Sequence, residues 1–259
     1  DKNFDVEISP YFSLNYNTPQ VHFVHNDIEY DSYRNYGALI NLRLAFGQHY
    51  DKLYFARIYY LTQVPVVNLS MDIGQVQLTD NRTENVGMYA HLHGSVQGAY
   101  NLGQIAMRYM LNGGYLFGDA PYELLEMPAG SMSLGYAKYQ YNLLHQASFA
   151  HNIYTNAHLE FSGGGIILNR IPLIRRLKLR EMLSLKSHYG SLENHYHGIF
   201  ELPEEFNNKL SAPYAEIGIG LSNIYKFFRI EYVRELSNYY STMDLSDKQG
   251  IRIRAELSF

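Results

Sequence analysis

Apolar and polar residues alternate with a period of two along most of this 259-residue chain, as in strands that keep one face in an apolar medium. In the last segment Ile251, Ile253, Ala255, Leu257 and Phe259 fall on one side, and Arg252, Arg254, Glu256 and Ser258 on the other. Ala215, Ile217, Ile219 and Leu221 oppose Tyr214, Glu216, Gly218, Gly220 and Ser222; Phe228, Ile230 and Tyr232 oppose Arg229, Glu231 and Glu235. Leu177, Leu179, Leu183 and Leu185 oppose Lys178, Arg180, Ser184, Lys186 and His188, and Ala157, Leu159 and Phe161 oppose Asn156, His158, Glu160 and Ser162. The sorting continues through segments 105–112, 88–97, 67–73, 36–46 and 4–16.

A soluble sandwich also alternates, but it rarely carries so many charges on one face of its strands while leaving the other wholly apolar. The pattern predicts an all-β fold, an antiparallel transmembrane outer-membrane β-barrel forming a single domain over residues 1–259. About eleven or twelve strands are expected, either closing a barrel alone or forming part of a larger one. With short turns periplasmic and long loops outside, 223–226, 166–176 and the turn at 100–103 fall inside. Segments 237–249, 191–212 and 117–152 fall outside, and the C-terminus is periplasmic. Before residue 65 the scheme weakens, because 50–63 alternates poorly and 17–32 is long for a periplasmic turn.

Composition agrees. No run reaches the ~20 apolar residues of a membrane helix, and mean hydropathy is −0.27, as expected where alternation hides the apolar half. A net charge of −4 gives no basic surface for nucleic acid. Zero cysteines exclude disulfides and thiolate metal sites, and 25 tyrosines without a tryptophan suit barrel girdles and cross-strand pairs. The chain starts at Asp1 without a basic and apolar leader, which reads as a mature or trimmed sequence.

Three stretches, Phe117–Glu126, Ile167–Glu181 and Tyr189–Leu192, together with Pro213–Arg234 and the closing strand, resemble a Bacteroidota-type family of uncharacterised outer-membrane proteins. In that family a carboxypeptidase-regulatory-like domain precedes a barrel domain of unknown function. The resemblance implies that this chain is the C-terminal barrel portion of a longer protein. A terminal aromatic such as Phe259 resembles the assembly signal of outer-membrane barrels, and implies a barrel-assembly machinery as partner during biogenesis. A fainter likeness, at Ala129-Gly130-Ser131-Met132-Ser133-Leu134-Gly135-Tyr136, is to the barrel-assembly and two-partner-secretion superfamily, which folds a long loop into its lumen. Leu134 stands where that motif has arginine, and that superfamily's repeated periplasmic domains are absent from this chain.

The candidate chemistry is sparse. Arg180, Glu160, Arg229, Glu231, Arg252, Arg254 and Glu256, with Lys178, are expected to face the lumen, pairing across the ladder or lining a pore. His91 with His93, and His195 with His197, have a spacing that could serve a metal, but solvated histidines are the plainer reading and neither a metal nor a cofactor is assigned. Glu201, Glu204 and Glu205 read as a solvated acidic patch, and Gly163-Gly164-Gly165 as a strand end. Glu216, taken as a lumen position, is expected to tolerate arginine better than Ile219. The segment 169–178 places arginines at the periplasmic membrane edge, for lipid head groups or a periplasmic partner at the 166–176 turn. The loop at 117–152 is too apolar to stay solvated, so Ala129, Gly130, Gly135 and Tyr136 are expected to plug the lumen. No catalytic set stands out. The expected role is non-enzymatic: protein assembly or translocation first, a passive or gated channel second, surface binding through the loops third.

Overall fold

The computed structural model describes residues 4–255 except 18–21, 26, 49, 54–55, 60–62, 79–83, 132, 146–147, 193–197, 202–212, 238 and 240–244. Its strands are β1 (Phe4–Tyr16), β2 (Phe23–His25), β3 (Ile28–Tyr30), β4 (Ser32–Leu44), β5 (Tyr50–Leu53), β6 (Ala56–Tyr59), β7 (Val66–Leu78), β8 (Glu84–Leu102), β9 (Ile105–Gly118), β10 (Ile153–Gly163), β11 (Arg180–Ser191), β12 (Tyr214–Ile224), β13 (Phe228–Glu235) and β14 (Gln249–Ala255). Ten of them form one antiparallel sheet in the order β1-β4-β7-β8-β9-β10-β11-β12-β13-β14, every neighbour being the next long strand in sequence. Among the described residues no helix is long and apolar enough to cross a membrane.

Of the fourteen strands among the described residues, ten form the wall, and the other four pair as two separate hairpins, β2–β3 and β5–β6, each inserted in a connection between wall strands. Phe4 pairs with Leu44 and Tyr16 with Ser32, which puts residues 17–31 at the same end as the long loops 119–152 and 192–213. The opposite end carries 45–65, the two-residue turn at 103–104, 164–179 and 225–227.

Alternation sorts the wall as the sequence demands, with its polar face inward and its apolar face outward. One row runs across seven strands through Tyr100, Met107, Phe161, Leu183, Ile219, Tyr232 and Ile251, each paired with the next. Ile219 is 62% exposed, whereas Glu216 and Arg229 are 1% and Glu231 0% exposed. A water-soluble domain buries the first kind of residue and exposes the second. This inversion is the arrangement of a barrel whose outer band meets hydrocarbon.

The wall is barrel-like, with β1 and β14 as its two edges. Along the β14 edge, Ile253 N donates to Leu134 O at 2.8 Å, and Gly135 forms a parallel bridge with Ile253. The largest apolar cluster sits not at mid-wall but at the long-loop end. There Phe23 and Tyr30 of the first hairpin, Phe200, Leu125 and Tyr122 pack on Tyr33, Val76, Leu78, Tyr89 and Leu116. Phe23 meets Tyr33 edge-on at 4.8 Å, and Glu201 N donates to Val24 O, so the hairpin and the 199–201 segment lie over the mouth as one unit.

Candidate functional site

The polar inner face of β9 to β14 is occupied by the chain's own segment 119–152. It enters at a 3-10 turn, Tyr122–Leu124, and leaves through a bridge between Glu126 and His151, whose backbones exchange hydrogen bonds of 2.9 and 3.0 Å. Between these points the segment runs down the lumen. Apart from its bridge to the β14 edge at Gly135, its backbone is met in part by side chains of the wall.

Glu216 is the main anchor. Its carboxylate accepts Asn142 N at 2.7 and 3.0 Å, Leu143 N at 3.0 Å and Tyr214 Oη at 3.1 Å. Lys186 Nζ stands 3.4 Å from the same carboxylate and donates to Asn142 Oδ1 and to Gln140 O. Arg252 Nε donates to Asn142 O at 2.7 Å. A lumen position is therefore not a watery one here. Arginine at Glu216 would meet Lys186 and strip two buried amides of their acceptor, a cost to set against that of arginine at the outward Ile219.

A second set lies toward the short-turn end. Arg229 contacts Glu160 at 2.5 Å and Glu231 at 3.2 Å, and Tyr136 Oη donates to Glu231 at 2.5 Å. Ser184 also donates to Glu231. Arg254 and Arg108 reach Glu160 at 3.7 and 3.5 Å. The Tyr136 ring lies among three cations, with Lys186 Nζ 4.9 Å, Arg254 5.3 Å and Arg229 5.9 Å from its centroid. Gly218 opens the space for this cluster, since a Cβ there would lie 2.2 Å from Glu231 Oε1. One space left between segment and wall, lined by Arg108, His158, Glu160, Arg229 and Arg254, measures about 30 Å³.

The structure distributes the sequence candidates unevenly. Glu160, Arg229, Glu231 and Arg254 meet in one ion-pair cluster, while Arg252 holds the inserted backbone instead. Arg180, the first residue of β11, keeps the parity of Ser184 and is exposed at the short-turn end, and Lys178 lies just before the strand in a left-handed cap (φ 52°). Glu256 and Phe259 lie outside the described residues, as do His195 and His197, Glu204 and Glu205.

Of the plug candidates, Tyr136 is buried, and Gly130 is packed so closely that a Cβ would sit 2.1 Å from Leu144 O. Ala129 and Gly135 are exposed, yet Ala129 O accepts Tyr141 N at 2.8 Å and Gly135 pairs with β14. His91 and His93 share Tyr154 Oη, at 3.4 and 2.8 Å, and no group of three metal-ligating side chains occurs among the described residues.

Two features escaped the sequence reading. The near-parallel rings of Phe149, His151 and His188 meet one another at 5.1 to 5.7 Å, with His151 Nδ1 2.9 Å from His188 Nε2 and His188 Nδ1 2.7 Å from Asn156 Oδ1. Burial holds the His151 imidazole neutral, its pKa lowered to about 4, and burial likewise raises that of Glu126 against a hydrogen bond from Asn156. On the other wall Tyr11, Asp72, Tyr89 and Asn35 form a connected set, with Tyr11 Oη 2.8 Å from Asp72 and 2.5 Å from Tyr89 Oη. Only the inward parity of Asn156, His188, Asp72 and Tyr11 foreshadowed either.

No curated protein matches the chain. Among solved structures, the outer membrane protein OprD from Pseudomonas aeruginosa is similar at 9% identity and a TM-score of 0.30, the match covering 100% of this chain and 67% of that one. A family model described as the C-terminal domain of a family of unknown function, DUF5686, matches residues 8–200, and by that match this chain belongs to the DUF5686 C-terminal-domain family.

Proposed function

We propose that the protein is an outer-membrane β-barrel whose lumen is stoppered by its own segment 119–152, and that it acts without catalysis as a structural, assembly or translocation component. The observation that carries this reading is the buried anchoring of Asn142, Leu143 and Tyr136 on Glu216, Lys186 and Glu231 inside a wall whose apolar face points outward. A stopper fixed by buried charges is ill suited to a passive pore. The contact of Leu134 and Gly135 with the β14 edge favours polypeptide handling, since that edge already accepts an extended segment that is not a wall strand. The resemblance to outer-membrane proteins in which a carboxypeptidase-regulatory-like domain precedes the barrel supports the same membrane, and the short turns favour an orientation with that end and the C-terminus inside.

The test is conductance in planar bilayers of the parent protein and of a variant lacking 124–138. The parent is expected to be silent and the shortened barrel to conduct. Steady conductance by the parent at low voltage would favour the second reading, a channel lined by Asp72, His91, His93 and Arg108. Silence of a correctly folded shortened barrel would remove the stopper.

A further inference from the structure

The connection between β10 and β11 is the most unusual exposed surface of the molecule. Residues 164–180 contain Arg170, Arg175, Arg176, Lys178 and Arg180 and no acidic residue. All five cations are exposed, and no carboxylate is recorded against any of them among the described residues. Interleaved with them, Ile167, Ile171, Leu173 and Leu177 are 66, 44, 78 and 63% exposed. So much aliphatic surface between cations is costly in water, and it suits an interface with apolar matter below and negative charge above.

The segment is built rather than loose. It forms two 3-10 turns, Leu168–Arg170 and Ile174–Leu177, around Pro172. Glu181 ties it down, accepting Gly165 N at 3.1 Å, Ile167 N at 2.8 Å and Leu168 N at 2.7 Å. Glu181 has the parity of Leu183 and Leu185, so its side chain lies on the outer face of the wall, over Gly163, where a Cβ would approach Glu181 Oε2 to 2.8 Å. The Glu181 carboxylate is thereby engaged in capping, and it holds the segment against the outside of the barrel rather than beneath the lumen. At the same end Tyr100, Leu102, Tyr225, Phe227 and Phe228 are also 46 to 84% exposed.

We infer that segment 166–178 is an interfacial anchor that binds anionic phospholipid at the periplasmic-side rim. Leu173, Leu177 and Ile167 enter the acyl boundary, and Arg170, Arg175, Arg176 and Lys178 reach the phosphates, their aliphatic stems lying along the same boundary. This rests on the membrane reading above, and the experiment separates the two.

Because the chain has no tryptophan, Leu173→Trp and Ile219→Trp each give a single fluorophore. Both are reconstituted in phosphatidylethanolamine vesicles containing a minority of phosphatidylglycerol, with bromine on the chains of one lipid or the other. Ile219→Trp is expected to be quenched by both. Leu173→Trp is expected to be blue-shifted and quenched with a preference for phosphatidylglycerol of about tenfold, as cations at an anionic surface give. In R170Q/R175Q/R176Q/K178Q carrying the same reporter the preference is expected to vanish. Quenching of Ile219→Trp without quenching of Leu173→Trp would overturn the anchor and make the segment a surface for a periplasmic protein. Quenching of Leu173→Trp without lipid preference would overturn the phosphate recognition. Failure of both reporters to quench would remove the membrane reading itself.

Discussion

Glu216→Gln is the sharpest test of how the lumen segment is held. The substitution keeps the shape of the side chain and removes its charge, in a position 1% exposed. Lys186, with a side chain 8% exposed, then loses the carboxylate 3.4 Å away, and breaking one member of a buried pair costs about 3–5 kcal/mol. A carboxamide offers one oxygen where Asn142 N, Leu143 N and Tyr214 Oη now share two, so a buried donor is stranded at a further ~1–3 kcal/mol. These losses overlap, and about 4 kcal/mol is the working figure, roughly a thousandfold in the docking equilibrium of the segment. Because the wall ladder is backbone-paired and Glu216 meets wall side chains only at Tyr214 and Lys186, the loss falls mainly on the segment and not on the sheet. Limited proteolysis of the detergent-solubilised protein reads this directly: cleavage within 119–152 accelerates while the wall strands stay protected. Adding Lys186→Met removes the stranded cation and is expected to restore more than half of the lost protection. Parent-like cleavage in Glu216→Gln, or a double variant no better than the single one, would refute the assignment of Glu216 and Lys186 as the anchor.

Ile219→Arg is expected to cost about 2–4 kcal/mol of barrel stability, the price of a cation on the lipid face, measured by urea unfolding in lipid vesicles; a parent-like midpoint would reverse the facing assignment. Stability is also expected to fall on acidification. The native His151 is neutral with its pKa near 4 while the unfolded imidazole protonates near 6.5, so its contribution is intact above about pH 6.5 and is lost progressively between there and about pH 4. His151→Gln is expected to flatten that stretch of the midpoint-against-pH curve, and an unchanged slope would mean that His151 is not buried neutral.

The wall was legible because its chemistry is periodic: a residue's parity fixes its face, and the face fixes whether it is apolar. The row from Tyr100 to Ile251 and the inward run of Glu160, Arg229 and Glu231 follow from counting by twos. The stretch before residue 65, where the alternation weakens, holds segments that pair only with themselves: residues 23–30 and 50–59 form their own hairpins. Parity gives a residue's face but not its solvation. Glu216 is on the polar face, but the segment that desolvates it lies 74 residues away in sequence, and nothing in the alternation of β12 registers that neighbour. The insertion of the loop was readable from its apolar content; its anchors were not, since they depend on which inward side chains the segment passes.

The contact between Leu134 and Ile253 constrains the order in which the chain reaches its native state. A segment 34 residues long, gripped on Glu216, Lys186, Glu231 and Arg252 by four successive wall strands, cannot be threaded past a finished wall without breaking those grips. It has to be present when β11 to β14 settle, so the wall winds around it as around a mandrel. The closing strand then finds its seat on a segment about 120 residues earlier in the chain, a contact of high sequence separation and therefore a late and slow one. A nascent wall whose lumen segment is misplaced lacks that contact for its last strand, so the seating of β14 depends on residues of a segment that is not itself a wall strand.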